Sequence, residues 1–271
     1  MIRCINLFVF ILLLSPHLIA QHSILNGAFD ARSLSMGRTG VALKNNSNFI
    51  NNVAHLSLLK NSGVYANYRS YYLIEGLSQI NLQAFTSRSD KNAWGIQIQR
   101  DGSKELNENL FGIAYSRKFG ENSSIGISAN YLNKNYPESK NESAIFPGIG
   151  MQIQIIPKLT LSTQINNPLP ISSKNLAKIP SQFKFGACYQ IYTQLQFTTE
   201  FQLVTNQETD LKFGLEYLPN PNFALRTGYI FNGTVSFGIG YRYKENLILD
   251  SACELHPVLG TSLGFGIEAM F

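Results

Sequence analysis

Beyond its first twenty residues the chain has no stretch of eighteen apolar residues, which excludes a bundle of membrane-spanning helices. Charge is scarce: Asp, Glu, Lys and Arg make up 14% of the 271 residues, against roughly 25% in ordinary soluble domains. The formal net charge of +5 is spread along the chain with no Lys/Arg block, so no nucleic-acid partner is expected. Cysteine is rare. Cys188 falls on the polar phase of its strand and Cys253 on the apolar phase; side chains on opposite faces of a sheet predict no disulfide. His22, His55 and His256 stand far apart without C-x-x-C or H-x-x-H spacing, so neither a metal site nor a cofactor is expected. A Gly-x-Ser-x-Gly elbow and a phosphate loop are missing from the sequence. No histidine is placed to serve a serine as base, so the chain reads as a non-enzyme.

What the chain does have begins with a leader. Arg3 supplies a positive start, residues 5–14 are apolar except Asn6, and Ala20 precedes Gln21. The apolar stretch is too short to span a bilayer, so residues 1–20 read as a cleaved signal peptide. Cys4 precedes that stretch and cannot be a lipid acceptor.

The rest is dominated by a two-residue period. In Val235-Ser236-Phe237-Gly238-Ile239-Gly240-Tyr241-Arg242-Tyr243 the odd positions are apolar or aromatic and the even ones small, polar or charged. Leu263, Phe265, Ile267, Ala269 and Phe271 continue the pattern to the last residue. Alternate side chains point to opposite faces of a strand, so each such run has one oily face. Fourteen runs are expected, near residues 63–72, 76–86, 92–100, 109–118, 123–133, 144–155, 158–166, 181–190, 194–203, 210–218, 222–231, 234–243, 246–255 and 261–271. Runs of about 9–11 residues suit a tilted strand crossing a bilayer.

An all-β, transmembrane antiparallel β-barrel of about 14 strands over residues 63–271 is the predicted fold. Closure is required because an unpaired backbone group in lipid costs several kcal/mol. Short even-numbered connections against longer loops at 101–108, 133–143 and 167–180 place both termini in the periplasm of a bacterial outer membrane. Tyr65, Tyr72, Tyr115, Phe119, Tyr131, Tyr217, Tyr229 and Tyr243 are placed as interfacial girdles would be. Residues 21–62 do not alternate; they are expected to form compact irregular structure with a helical turn near 53–59.

The polar phase of the later strands carries Lys184, Glu200, Lys212, Glu216, Arg226, Arg242, Asp250, Glu254 and Glu268. These are expected to face the lumen and either pair into a network or tune passage.

Two end segments carry a family resemblance. Ala31-Arg32-Ser33-Leu34-Ser35-Met36-Gly37-Arg38-Thr39-Gly40-Val41-Ala42-Leu43, then Asn51-Asn52-Val53-Ala54-His55-Leu56, resembles the N-terminal signature of FadL-type outer-membrane barrels, most nearly the PorV/PorQ branch linked with type IX secretion. Ala224-Leu225-Arg226-Thr227-Gly228-Tyr229 and His256-Pro257-Val258-Leu259-Gly260 resemble the end of that branch. Against the signature, Arg38 replaces a glycine, Val53 a proline and His55 a glycine. The resemblance implies an inward-folded hatch over residues 21–62, with Arg32, Met36, Gly37, Gly40, Asn51 and Asn52 as hatch residues. It implies a role in secretion or envelope assembly with secretion-system components as partners, or else transport of a hydrophobic ligand. A closed structural barrel is the remaining reading. Outer-membrane lipid and the barrel-assembly machinery are expected partners, with Phe271 as the assembly cue.

Overall fold

The computed structural model describes residues 30–43, 49–87, 91–137, 140–169, 179–244 and 246–271. The leader with its cleavage site, residues 21–29, and Asn45, Asn46 and Asn48 lie outside them.

The strands run β1 (Gly63–Ser70), β2 (Ser78–Ser87), β3 (Asn92–Gly102), β4 (Asn107–Phe119), β5 (Ser123–Asn135), β6 (Glu142–Ile156), β7 (Leu159–Asn166), β8 (Gln182–Tyr192), β9 (Leu195–Val204), β10 (Asp210–Asn220), β11 (Phe223–Ile230), β12 (Thr234–Tyr243), β13 (Leu247–His256) and β14 (Gly260–Met270). Each pairs antiparallel with its chain neighbours, and β1 pairs with β14 from Gly63↔Met270 to Ser70↔Leu263. That last ladder closes the barrel and leaves no open sheet edge.

The side-chain phase decides what the barrel is for. Along β3 and β4 the outward Ile96, Ile98 and Ile113 are about half exposed, 57%, 49% and 59%, whereas the inward Gln97 and Gln99 are at 8% and 1%. The same inversion holds across the sheet: Gln79, Asn81, Gln164, Gln182, Glu200 and Glu254 are buried while Phe265, Ile127 and Phe237 are bare. An apolar outer band around a polar interior is stable only where lipid replaces water outside. The barrel spans a membrane.

At one end lie the chain terminus and tight turns, such as residues 120–122 and 157–158. The other end carries the odd-numbered connections. Of the three long loops expected there, only 167–181 keeps its length. The first is reduced to 103–106 because β3 and β4 continue past the slab, pairing Asp101↔Glu108 and Gly102↔Asn107. Asp101 and Asn107 are buried, so the alternation that defines the strands runs through the stretch assigned to a loop.

Residues 30–43 and 49–58 lie inside the barrel. A five-residue helix α1 (Ala31–Ser35) is capped by Asp30, whose Oδ1 accepts from Ser33 N at 2.5 Å. A 3-10 helix, Val53–Leu58, is capped by Asn52, whose side chain accepts from Ala54 N. The two pack on opposite walls, α1 against β11 to β14 and β1, the 3-10 helix against β2 to β6. Room for them comes from inward glycines: a Cβ on Gly228 would lie 1.9 Å from Gly37 N, one on Gly126 2.6 Å from Val53, and one on Gly95 2.8 Å from Phe49.

Candidate functional site: the segment held inside the barrel

Three wall carboxylates hold this inner segment. Glu216 on β10 accepts from Arg32 through Nε at 3.0 Å and a terminal nitrogen at 2.8 Å. It also takes Arg226 Nε at 2.6 Å and Gln196 Nε2 at 2.5 Å, and Arg226 reaches Asp250 at 2.6 Å. Glu254 on β13 takes the Arg38 fork at 2.6 Å on each oxygen and Arg69 at 2.8 Å. Glu200 on β9 uses one oxygen for the backbone N–H groups of Gly40 and Val41, at 2.8 and 2.9 Å, and the other for Lys212 Nζ at 3.1 Å. Lys212 also donates to Gln202. Charge-assisted, two-pronged contacts of this kind are the stronger class of hydrogen bond.

Neutral contacts complete the seat. Gly37 N donates to Ser236 Oγ at 2.8 Å, Thr39 and Thr198 hydroxyls meet at 2.7 Å, Val53 N donates to Gln164, and Ala31 N to Asn67. Gly37 and Arg38 both adopt left-handed backbone, φ 65° and 61°. That conformation explains the paired glycines of the resembling signature. In this chain the second is arginine, and the strained backbone aims its guanidinium at Glu254.

The expected hatch residues therefore come together. Arg32 and Gly40 meet wall carboxylates; Met36 is fully buried, its backbone against Gly228 and Gly214; Asn51 donates to Asp30 at 2.7 Å; Asn52 caps the 3-10 helix and donates to Val41 O. His55, where the signature has glycine, is buried with Nε2 3.0 Å from Val41 O, and burial pushes its pKa down to about 4. Burial also opposes the charges of Arg32 and Arg38, but Glu216 and Glu254 beside them outweigh it and hold both guanidinium pKa values above the ordinary range.

Of the expected lumen charges, Lys184, Glu200, Lys212, Glu216, Arg226, Glu254 and Glu268 are buried inside, and Asp250 is half-buried in the same network. Arg242 shares the inward phase of β12 but is exposed, because it lies at the end of the strand. Tyr65 is a correction: it belongs to the inward phase of β1, is 5% exposed, and donates to Asn67 rather than standing in a girdle. Arg69 and Asp101 were missed, although each sits in an inward phase with neutral polar neighbours. Phe271 is exposed, its N–H donating to Ser62 O at 2.9 Å.

Above the inner segment, toward the loop end, a cavity of about 30 Å³ is lined by Phe49, Val53, Gln97, Gln99, Asn130 and Lys184 among others. It is roofed by apolar packing of Leu110, Leu132 and Phe146 with Ile179 from the long loop. A second concavity of about 610 Å³ is an open groove on the oily outer surface of β12, β13, β14, β1 and β2. Beneath it the strand pairing runs without a register shift.

This geometry defines a class: a membrane-spanning barrel whose lumen is occupied by its own N-terminal segment. Several solved structures are similar to it in fold. The Ralstonia pickettii toluene transporter TbuX superposes with a TM-score of 0.64 at 14% identity, over 90% of this chain and 98% of that one. The P. putida toluene transporter TodX gives 0.68 at 11%, over 90% and 98%, and a Pseudomonas aeruginosa FadL homologue gives 0.61 at 11%, over 89% and 98%. No protein-family model and no curated protein sequence matches the chain. The likeness establishes the architecture, a FadL-like closed barrel of fourteen strands.

Proposed function

We propose that the chain is an outer-membrane conduit of the FadL-like kind, with residues 30–43 and 49–62 belonging to a displaceable plug and both termini on the periplasmic side. The observation that carries this reading is how the plug is held. It rests on three carboxylates and on small-residue contacts, and among the described residues its buried apolar side chains fall into separate patches around Leu34, Val41 and Phe49 instead of one continuous core. Ionic ties of this kind exchange for water when the plug moves, whereas the strand ladders stay intact. The solved neighbours described as toluene transporters favour the same reading.

Planar-bilayer recording of the full chain tests it. The wild type is expected to show rare or small openings, and the Arg32→Met/Arg38→Met chain frequent ones. Silence from both leaves a sealed structural barrel, a reading favoured by the buried ion pairs and the small volume of the inner cavity.

The secretion-associated reading rests on the end motifs, Ala31 to Leu43 above all. Mild detergent extraction bringing down secretion components with the barrel would favour it over transport. The assembly role of Phe271 is likewise part of this proposal, its terminal exposed ring being available to an assembly factor.

A further inference from the structure

The conduit's inner chamber sets apolar side chains such as Phe49 and Leu110 against a group of amides, with Lys184 beside them, and two of the amides are incompletely used. Gln97 on β3 donates through Nε2 to Asn130 Oδ1 at 3.1 Å, which leaves its Oε1 without a hydrogen-bond partner among the described residues. Two residues along the same strand, Gln99 accepts at Oε1 from Asn81 at 3.5 Å, which leaves its Nε2 without one. Both side chains are more than nine-tenths buried and both line the cavity. Residues two apart on one strand face the same side about 7 Å apart, so the wall presents one acceptor and one donor side by side.

An apolar molecule pressed against that wall would leave both groups unpaired and dehydrated, which disfavours its passage. A solute with its own donor and acceptor would satisfy them. The chamber's volume of about 30 Å³ is on the scale of one or two water molecules, so such a solute enters only as the plug withdraws and Phe49 and Val53 leave the floor.

We propose that this chamber selects small uncharged solutes bearing hydroxyl or amide groups, in preference to hydrocarbons. The inference rests on the transport reading and narrows its substrate class. It sets this chain apart from the neighbours described as toluene transporters.

The test uses full-length Arg38→Met protein, whose plug tie is weakened, in proteoliposomes, with arabinose as hydroxyl probe and N-acetylglycinamide as amide probe. Toluene uptake is measured separately in cells producing the same chain. At least one polar probe is expected to enter, and Gln97→Leu/Gln99→Leu is expected to slow it about fivefold or more while heat-modifiable gel migration shows a folded barrel. Which probe enters identifies the source of the chemistry. Should the double variant fail to fold, Gln99→Asn, one methylene shorter, must still slow entry about twofold. Equal entry with and without these amides overturns the inference, as does toluene uptake with neither polar probe admitted; in both cases transport itself stands. If no probe of either kind passes, the transport reading falls and the inference with it.

Discussion

Replacing Arg38 by methionine removes one tie between plug and wall without stranding a charge. Glu254 keeps Arg69 at 2.8 Å, so the wall carboxylate remains paired. The reverse change, Glu254→Gln, would leave two buried guanidinium groups facing one neutral amide and would cost the wall itself about 3–5 kcal/mol. The methionine variant therefore isolates the plug. The lost contact is a two-pronged, charge-assisted pair with both distances at 2.6 Å, and hydrogen bonds to charged groups contribute about 1.5–3 kcal/mol. At about 1.4 kcal/mol per decade, the open population should rise roughly ten- to a hundredfold. A native reporter lies under the plug: Cys188 is fully buried against Val41 and Ala42. In a Cys253→Ser background, reaction of Cys188 with a water-soluble maleimide should accelerate by that factor. Heat-modifiable migration should not change. An unaltered labelling rate, or acceleration accompanied by loss of the folded barrel, refutes the assignment of Arg38 as a plug tie.

Gly228→Leu places a side chain where a Cβ alone would lie 1.9 Å from Gly37 N; overpacking of this kind typically costs about 1–3 kcal/mol, and because β11 can keep its ladder, the expected result is a displaced plug and faster Cys188 labelling in a barrel that still migrates as folded. Acid should act through His55. Its folded pKa near 4 lies below the ordinary 6.5, so the packed plug binds fewer protons than the released one; packing is unpenalised above about pH 6.5 and is weakened progressively as pH falls toward 4, by up to about 3 kcal/mol. Asp30 opposes and Arg32 reinforces this effect weakly. Labelling of Cys188 measured at a fixed pH after acid pulses should rise for wild type and stay flat for His55→Gln. Deleting Phe271 should reduce the amount of folded protein recovered from membranes at least about twofold while leaving the stability of purified, folded barrel unchanged; quantitative blotting against a refolding control separates the two.

The strands were legible because the information is local. Leu195, Phe197 and Phe201 against Gln196, Thr198 and Glu200 state which face meets lipid without reference to anything distant, and every one of the fourteen expected runs corresponds to a strand. The interior phase was legible for the same reason, including wall pairs on adjacent strands such as Arg226 with Glu216. What the sequence could not convey is separation along the chain. Arg32 and Glu216 lie 184 residues apart, Arg38 and Glu254 216, and no local pattern relates them. Helix α1 was too short for a 3.6-residue period to register, although Asp30 three residues before Ser33 is an N-cap signal. Arg242 shows the limit of phase as evidence: it gives direction but not depth, and the rim of a barrel is wet on both faces.

The link from the 3-10 helix into β1 is brief, residues 59–62. Fully stretched, four residues reach about 14 Å, so that half of the insert is on a leash. On the conduit reading the tethered half, with Phe49 and Val53, swings off β2 to β6 only within that reach, and the aperture it uncovers is a crescent beside the wall, not the full bore. The leash length, more than the circumference of fourteen strands, then sets the girth of anything that goes through.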